Sequence, residues 1–467
     1  MEPVLLVVDV DSRRRALRAA LAEPAGRAVA FLAAGWPEGR PAELEQALVA
    51  TLRDLVRRSG LLPQEVGGLV LAADADEAML WRADGRPLAG PRPLPGAGPQ
   101  AAAAALEELR GSVPEELFPA ERALRFGPLG AWLVAALCGG EGAAEAAGGD
   151  RFGLFDRRMR GWLPPARGEA GSGEGEAATV PRDLLPPFRP SLGHLGWTTP
   201  RVLDFPLPVV ALVDRRVAEV AGHAAVCRRE GGWPGPAEAL LLLEEEATLR
   251  VVSDLEPEEL ELRARMAGAA AEAVRAGAEG GAGPRLRLRV ALQEGLRLYT
   301  LAEAEAGPAG LLDRWFEEAL GLSASWAETE RLARSASAAA GARLESAGGG
   351  RWTLRDLDGG TDAAVLARLI VQAPAEPVAG LLAAWRRLAG EGRAPDHLHV
   401  GGLAALSDLR LEELARASGL PVLRATHHAA VERGGALLGA RALGLRAAGQ
   451  ENDPFPVTRF YPEPGAL

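Results

Sequence analysis

The sequence contains no lysine, so all 52 basic residues are arginines. No lysine can therefore act as a phosphate-loop cation or form a Schiff base, and a P-loop of the GxxxxGK type is excluded. Acidic residues outnumber basic ones, with 63 aspartates and glutamates and a formal net charge of −11 at pH 7. This balance argues against a nucleic-acid partner, because neutralising phosphates requires a basic surface.

Cysteine and long apolar runs are also scarce. The two cysteines, Cys138 and Cys227, are far apart and lie outside any CxxC pattern. Such usage is typical of a reduced protein and argues against a structural zinc site built from cysteines. The N-terminus meets a charged residue too early for a signal peptide, and no apolar run approaches membrane-spanning length. The sequence therefore predicts a cytoplasmic protein without a membrane partner.

The length and periodicity of the chain predict two α/β domains. A chain of 467 residues is too long for one hydrophobic core. Apolar segments at 4–10, 16–21 and 28–33 predict three strands joined by turns, although the alanine-rich middle segment is also compatible with a helix. Residues 239–254 repeat the pattern of strand, turn and strand half a chain later. Two similar hairpins at this separation predict two related domains that face each other.

Five further segments have helical or strand patterns. Residues 42–58 place leucines on one helical face, and residues 309–320 and 363–390 also predict helices. Residues 398–400 predict a strand that runs into Gly401 and Gly402. Residues 429–447 predict a helix in which Gly434, Gly435 and Gly439 allow close backbone packing.

Several short motifs occur in an order that resembles the FGGY carbohydrate kinases, the family of the glycerol, xylulose and gluconate kinases. These motifs are Leu154-Phe155-Asp156 with Trp162, Leu207-Pro208-Val209-Val210 with Asp214 and Gly222, Gly401-Gly402-Leu403-Ala404 with Ser407, and Gly434-Gly435-Ala436. The family belongs to the superfamily of actin, the sugar kinases and Hsp70. The resemblance implies the fold class α/β, with two actin-like (ribonuclease H-like) domains and a cleft between them. It implies an N-terminal domain over residues 1–225 and a C-terminal domain over 226–467.

The resemblance implies that Asp214 is the catalytic base that takes the proton of the sugar hydroxyl. From the residues alone, Asp214 ends an apolar run and precedes a helical segment, and this position favours a cap of that helix. The first phosphate loop of the family corresponds to Asp9 through Arg15. Asp9, Ser12 and Arg15 keep the family pattern, and Asp9 is the implied metal residue. Asp11 replaces a glycine whose backbone would approach phosphate, which adds bulk and negative charge.

The remaining implied site residues lie in three further segments. The second phosphate loop corresponds to Glu244–Glu246, with Glu245 at its centre, where the family has a glycine-rich turn. Gly401, Gly402 and Ala404 are the implied adenosine loop. On the sugar side, Asp76 and Trp81 are the implied substrate residues, but the arginine that the polyol kinases carry near this tryptophan is missing. A charged, solvated strand turn would explain the three glutamates without any ligand.

Two observations suggest alternative ligands. His397 and His399 are two apart in a predicted strand, so they share a face that could bind a metal, but the sequence shows no third ligand. If the two hairpins face each other, Asp9, Asp11, Asp214 and Glu244–Glu246 would converge on one acidic site. Such a site would attract a cation or a basic segment of a partner protein.

The sequence leaves two functions open. The first is an FGGY-type protein whose ATP-dependent phosphotransfer is weakened or lost and which binds a ligand or regulates as a pseudokinase. The alternative is an active sugar or polyol kinase that uses ATP and Mg²⁺, with Asp214 as base. In the first case ATP and Mg²⁺ are not required. The sequence does not identify the sugar substrate, and it is compatible with a homo-oligomer.

Overall fold

The computed structural model describes residues 3–36, 39–118, 123–164, 180–225, 237–266, 286–336, 342–348, 351–425, 429–445 and 457–462. Cys227 lies outside these residues. Strands and helices alternate along the chain. The strands are β1 (Val4–Asp11), β2 (Ala16–Ala22), β3 (Ala28–Gly35), β4 (Val66–Ala73), β5 (Glu77–Arg82), β6 (Pro87–Pro93), β7 (Leu124–Pro128), β8 (Phe155–Asp156), β9 (Gly161–Trp162), β10 (Leu192–Trp197), β11 (Pro208–Asp214), β12 (Ala237–Leu243), β13 (Glu246–Ser253), β14 (Arg287–Glu294), β15 (Arg297–Pro308), β16 (Arg343–Gly348), β17 (Arg351–Arg355), β18 (Leu398–Gly401), β19 (Val422–Ala425) and β20 (Val457–Phe460). The helices are α1 (Pro41–Ser59), α2 (Pro99–Gly111), α3 (Leu129–Cys138), α4 (Ala146–Arg151), α5 (Arg215–Ala225), α6 (Pro257–Met266), α7 (Gly310–Arg314), α8 (Trp326–Ser335), α9 (Ala363–Gln372), α10 (Ala375–Ala389), α11 (Asp408–Ser418) and α12 (Ala430–Ala442).

The chain forms two compact units, each assembled from three segments. Unit 1 comprises Met1–Glu230, Arg289–Tyr299 and His428–Asn452, and unit 2 comprises Gly231–Leu288, Thr300–His427 and Asp453–Leu467. The predicted boundary after residue 225 lies near the end of the first segment of unit 1. The segments 289–299 and 428–452, which the prediction gave to the C-terminal domain, belong to unit 1 in the structure.

Unit 1 is built on a sheet with the strand order β14-β10-β11-β4-β1-β2-β3. The antiparallel pairing of β1 with β2 and of β2 with β3 confirms the three predicted strands and excludes a helix at 16–21. Strand β4 runs parallel to both β1 and β11. The carboxyl ends of these three strands therefore meet at one edge of the sheet. Residues that follow them are brought together although they lie far apart in sequence.

Unit 2 is built on a sheet with the strand order β20-β19-β18-β12-β13-β15. The antiparallel pairing of β12 with β13 confirms the predicted second hairpin. Strand β18 is parallel to β12 on one side and to β19 on the other. One face of this sheet packs on a buried apolar cluster that includes Leu241, Leu398 and Val400. Alternate residues of β12 and β18 project from the opposite face.

Helices α5 and α12 of unit 1 cross at very short distance. A Cβ atom built on Gly434 would lie 1.8 Å from the carbonyl oxygen of Ala218, and one on Gly222 would lie 1.8 Å from that of Ala430. Only residues without a Cβ atom allow backbones to approach this closely. The predicted role of Gly434 in close packing is therefore confirmed.

The apolar stretch Ala363–Ala389 is long enough to cross a membrane by length and composition alone. The sequence predicts a helix over residues 363–390, and charged residues such as Arg368 and Glu376 interrupt its apolar pattern. In the structure it forms two helices, α9 and α10, which are separated by a turn at Ala373 and Pro374. Many of its apolar side chains, such as Val378 and Trp385, are buried in unit 2. The stretch is apolar because its side chains form part of the core of unit 2.

Candidate active site

Five aspartates gather where β1, β4 and β11 end. The register of the parallel pairs places Asp214 and Val10 beside the same residue of β4. Four of the five carboxyl groups are buried, and only Asp76 is partly exposed. The aspartates are Asp9 and Asp11 in β1, Asp74 and Asp76 after β4, and Asp214 at the end of β11. Such a concentration of buried carboxylates requires compensating positive charge.

Arg215, the first residue of α5, provides part of that charge. Its Nε donates to Oδ1 of Asp9 at 2.7 Å, and its terminal nitrogen lies 3.2 Å from Oδ2 of Asp11. Burial raises the pKa of Asp9 to about 6 in spite of this arginine. Burial alone would lower the pKa of Arg215, but the carboxylates of Asp9 and Asp11 raise it above its ordinary value. The guanidinium thus fills the space between the two carboxylates of β1.

Arg216 makes the corresponding contacts with the other two strand ends. Its guanidinium donates to Asp76 at 2.6 Å and lies 3.6 Å from Oδ2 of Asp214. A second guanidinium, that of Arg151, lies 4.0 Å from the same oxygen. Burial opposes ionisation of Asp76, but the charge of Arg216 prevails and lowers the pKa of this carboxyl group.

Asp214 lies where the sequence predicts it, at the junction of β11 and α5. Its Oδ1 accepts the backbone N–H of Arg216 at 2.9 Å, which is the geometry of a helix N-cap. The capping role considered from the sequence is therefore confirmed. Oδ2 of Asp214 accepts no hydrogen bond from the residues that the structure describes. The role of Asp214 as a base stays a prediction.

The turn between β1 and β2 is held together by its own side chains. Oδ1 of Asp11 accepts the backbone N–H of Arg14 at 3.0 Å, and Ser12 donates to Oδ2 of Asp74 at 3.3 Å. Arg15 is exposed and adopts a left-handed backbone conformation with φ of 50°. The carboxylate of Asp11 therefore occupies an N–H group of the loop that the resemblance implies for phosphate.

The two predicted substrate residues lie in different surroundings. Asp76 is at the strand ends, where it contacts Arg216 and, at 3.3 Å, Arg13. Trp81 is fully buried in the core of unit 1, and its indole N–H donates to the carbonyl of Glu141 at 3.3 Å. This position favours packing over contact with a substrate.

In unit 2, the predicted adenosine loop follows β18. Gly402 has φ of 93°, and a Cβ atom there would lie 2.5 Å from the carbonyl oxygen of Leu243, so glycine is required. Arg410, which is buried, donates to the carbonyl of Ala404 at 3.1 Å and makes two hydrogen bonds with Asp313, at 2.7 and 3.0 Å. A cavity lined by Ala404, Arg410, Asp313 and Trp326 has room for about one water molecule.

The turn with the three glutamates caps helix α7 through its backbone carbonyl groups. The carbonyl of Glu244 accepts the N–H of Gly310 at 2.7 Å, and that of Glu245 accepts the N–H of Leu311 at 3.0 Å. The side chain of Glu245 forms an exposed ion pair with Arg314 at 2.7 Å. Asp9, Asp11 and Asp214 lie in unit 1 and Glu244–Glu246 in unit 2, so their predicted convergence on one acidic site stays a prediction.

Sequence reasoning missed the arginines that neutralise these carboxylates. Arg215 and Arg216 carry a visible signal, because a basic pair directly follows the candidate base Asp214. Arg151 and Arg410 carry none, since their partners Asp214 and Asp313 are 63 and 97 residues away.

No family model matches the sequence. The sequence is 28% identical over 432 residues to the glycerol kinase of Thermus brockianus, an alignment that covers 84% of this chain and 78% of the relative. It is 26% identical over 490 aligned positions to the glycerol kinase of Methylobacterium nodulans, covering 94% of this chain and 90% of the relative. The crystal structure of Plasmodium falciparum glycerol kinase with ADP superimposes with a TM-score of 0.72 at 12% identity, over 99% of this chain and 94% of that one.

The strand order and these similarities define an α/β protein with the two-unit actin-like fold of the sugar kinases. Within that class, the similarities to glycerol kinases support an FGGY carbohydrate kinase, at low sequence identity.

Proposed function

We propose that this FGGY-type protein has weakened or lost ATP-dependent phosphotransfer and acts as a ligand-binding or regulatory pseudokinase. The observation that carries the proposal is the pairing of the strand-end carboxylates with Arg215 and Arg216. In an active kinase of this fold, such carboxylates would serve a hydrated Mg²⁺ ion and the hydroxyl proton of the sugar.

The residues at the end of β1 do not fit a magnesium nucleotide as they are arranged. Mg²⁺ prefers oxygen ligands in near-octahedral geometry and keeps several of its waters. Between Asp9 and Asp11, that volume holds the guanidinium of Arg215, at 2.7 and 3.2 Å from the two carboxylates. The protein supplies its own cation there, so the carboxylates need no metal for charge balance.

The turn that follows β1 also lacks the features of a phosphate loop. A phosphate site needs unoccupied backbone N–H groups, and at least one N–H of this turn, that of Arg14, is already bonded to Asp11. A phosphate at this place would also face the carboxylate of Asp11 itself. Two like charges at contact repel by about 4 kcal/mol at an effective dielectric constant of about 20.

The loop after β18 supports the same proposal from unit 2. The ion pair of Arg410 with Asp313 fixes the carbonyl of Ala404 in the loop that the resemblance implies for adenosine. A ligand of this protein is therefore better sought among sugars and polyols, to which the partly exposed Asp76 and the exposed Arg13 offer hydrogen-bonding groups.

One observation favours the alternative, an active sugar or polyol kinase. Oδ2 of Asp214 is a buried carboxylate oxygen that accepts no hydrogen bond from the described residues, as a general base awaiting a hydroxyl group would be. If Arg215 and Arg216 left the carboxylates when a nucleotide bound, they could pair with phosphate oxygens instead.

Calorimetric titration with ATP, with and without Mg²⁺, distinguishes the two functions. We expect no binding by the unaltered protein at submillimolar ATP. The variant Asp11→Gly frees the backbone N–H of Arg14 and leaves the guanidinium of Arg215 able to contact phosphate. It should therefore bind ATP at least about tenfold more tightly. A tenfold gain corresponds to the removal of roughly 1.4 kcal/mol of repulsion.

Asp84→Gly is the matched control, because Asp84 also accepts a backbone N–H within a turn, that of Arg86 at 3.1 Å. It should leave ATP binding unchanged. Micromolar, Mg²⁺-dependent binding by the unaltered protein, followed by phosphorylation of a sugar in a screen, would overturn the proposal and establish the active kinase.

A further inference from the structure

Three potential metal ligands meet on one face of the sheet of unit 2. Glu238 is in β12 and His399 is in β18, two strands that pair in parallel with Leu240 beside His399. His397 precedes β18 by one residue. Because side chains two residues apart in a strand share a face, all three project to the side opposite the apolar cluster of unit 2. The parallel register thus supplies a third ligand that the spacing of the histidines did not reveal.

The distances among the three side chains suit a tetrahedral metal ion. Nε2 of His397 lies 3.0 Å from Nε2 of His399, which lies 3.6 Å from Oε2 of Glu238. One ligand atom from each residue falls within 4.8 Å of the others. Bonds of about 2.0–2.1 Å at tetrahedral angles separate two ligand atoms by roughly 3.3 Å, between the two closer distances found here. Small side-chain adjustments would complete the geometry.

The surroundings also suit a metal site. His399 and Glu238 are 1% and 2% exposed, so a charged ligand set is enclosed by protein, while His397 remains 20% exposed and keeps the site open to solvent. The carboxylate of Asp396 contacts Nδ1 of His397. A carboxylate on the other ring nitrogen orients a ligating histidine and directs its Nε2 to the metal.

We propose that Glu238, His397 and His399 bind a transition-metal ion of the Zn²⁺ type, with a water molecule at the fourth position. Two imidazoles and one carboxylate are a ligand set that suits Zn²⁺, whereas Mg²⁺ and Ca²⁺ require mainly oxygen ligands. The site is built entirely within unit 2 and does not depend on whether the protein transfers phosphate. Without a metal, the same histidines would be held by the hydrogen bond between their Nε2 atoms.

The test is a Zn²⁺ titration of the tag-free, metal-stripped protein, followed by unfolding temperature and by competition with a chelating dye. We expect one equivalent to bind at submicromolar concentration and to raise the unfolding temperature. Co²⁺ in place of Zn²⁺ should give the visible absorption of a tetrahedral ion. Glu238→Gln, which keeps the shape of the side chain, and His397→Gln should each weaken binding by about 100-fold, and Asp396→Asn by about 10-fold to 100-fold.

His194→Gln is the matched control, because His194 is exposed on β10 of unit 1. It should bind Zn²⁺ as the unaltered protein does. His397→Gln retains a partly exposed position and is expected to fold, which separates loss of the metal from loss of the fold. The proposal is overturned if the unaltered protein takes up no Zn²⁺ at micromolar concentration, or if Glu238→Gln and His397→Gln bind it as tightly as His194→Gln.

Discussion

Glu145 shows at the scale of a single residue how unit 1 tolerates buried acids. Its carboxylate caps α4 by accepting the backbone N–H groups of Ala147 and Gly148, and it also accepts the hydroxyl of Ser191 at 3.0 Å. Burial raises the pKa of Glu145 to about 7, and these hydrogen bonds offset only part of that effect. Near neutral pH the folded protein therefore binds a proton at Glu145 that the unfolded chain releases.

We predict from this shift that the protein becomes more stable as the pH falls from 8 to 6. A carboxyl group whose pKa is raised by folding stabilises the folded state fully below its unfolded pKa, and this stabilisation is lost as the pH rises through the folded value near 7. One such group changes the free energy of unfolding by at most about 1.4 kcal/mol per pH unit. The pKa of Glu77, raised by burial to about 7, acts in the same direction.

The measurement is thermal or urea unfolding across this pH range, with Glu145→Gln for comparison. The variant should show a smaller dependence on pH, since the amide cannot titrate. Glu108→Gln, at an exposed site on α2, should keep the full dependence. An unchanged dependence in Glu145→Gln would show that the proton is bound elsewhere.

At the scale of elements, the crossing of α5 and α12 is the contact most sensitive to volume. Gly434→Ala places a methyl group 1.8 Å from a backbone oxygen of α5, so the helices must separate. We expect the free energy of unfolding to fall by about 3 kcal/mol, at the upper end of the usual cost of overpacking.

Gly380→Ala in α10 is the control for this substitution. Nothing lies within 4 Å of a Cβ atom at Gly380, and alanine is the better helix former. It should raise the free energy of unfolding by up to about 1 kcal/mol. Equal effects of the two substitutions in urea unfolding would show that the crossing is looser than the structure has it.

The sequence predicted well which strands and helices form and in what order they follow one another. The periodicity of residues 42–58 and the two hairpins were recognisable because they depend on neighbours within about ten residues. The pairing of Asp214 with Arg151 and of Glu238 with His399 was not, because each depends on which strands and helices become neighbours in the fold. The turn between β1 and β2 was predicted only in part. Asp11 was recognised as a departure from the family, but the N–H that it binds was not predictable.

At the scale of the whole molecule, residues 231–288 and 300–427 of unit 2 separate the three segments of unit 1. Helix α12 packs along α5 and on β1, β4 and β11. Cβ atoms at Gly435 and Gly439 would lie 2.6 and 2.4 Å from the side chains of Val7 and Val70. The helix thus covers apolar residues of the central strands, and the chain must return from unit 2 before that face of the sheet is buried.

We therefore predict that a fragment of residues 1–230, close to the domain predicted from the sequence, does not fold stably alone. It would leave the apolar faces of β1 and β4 exposed, and the burial of such side chains contributes about 1.5–3 kcal/mol each. Circular dichroism should show no cooperative thermal transition, and adding a peptide of residues 428–452 should restore part of one. The same peptide with Gly434→Leu should restore none, because the leucine side chain would collide with α5. Cooperative unfolding of the fragment alone, at the temperature of the full chain, would contradict the assignment of α12 to the core of unit 1.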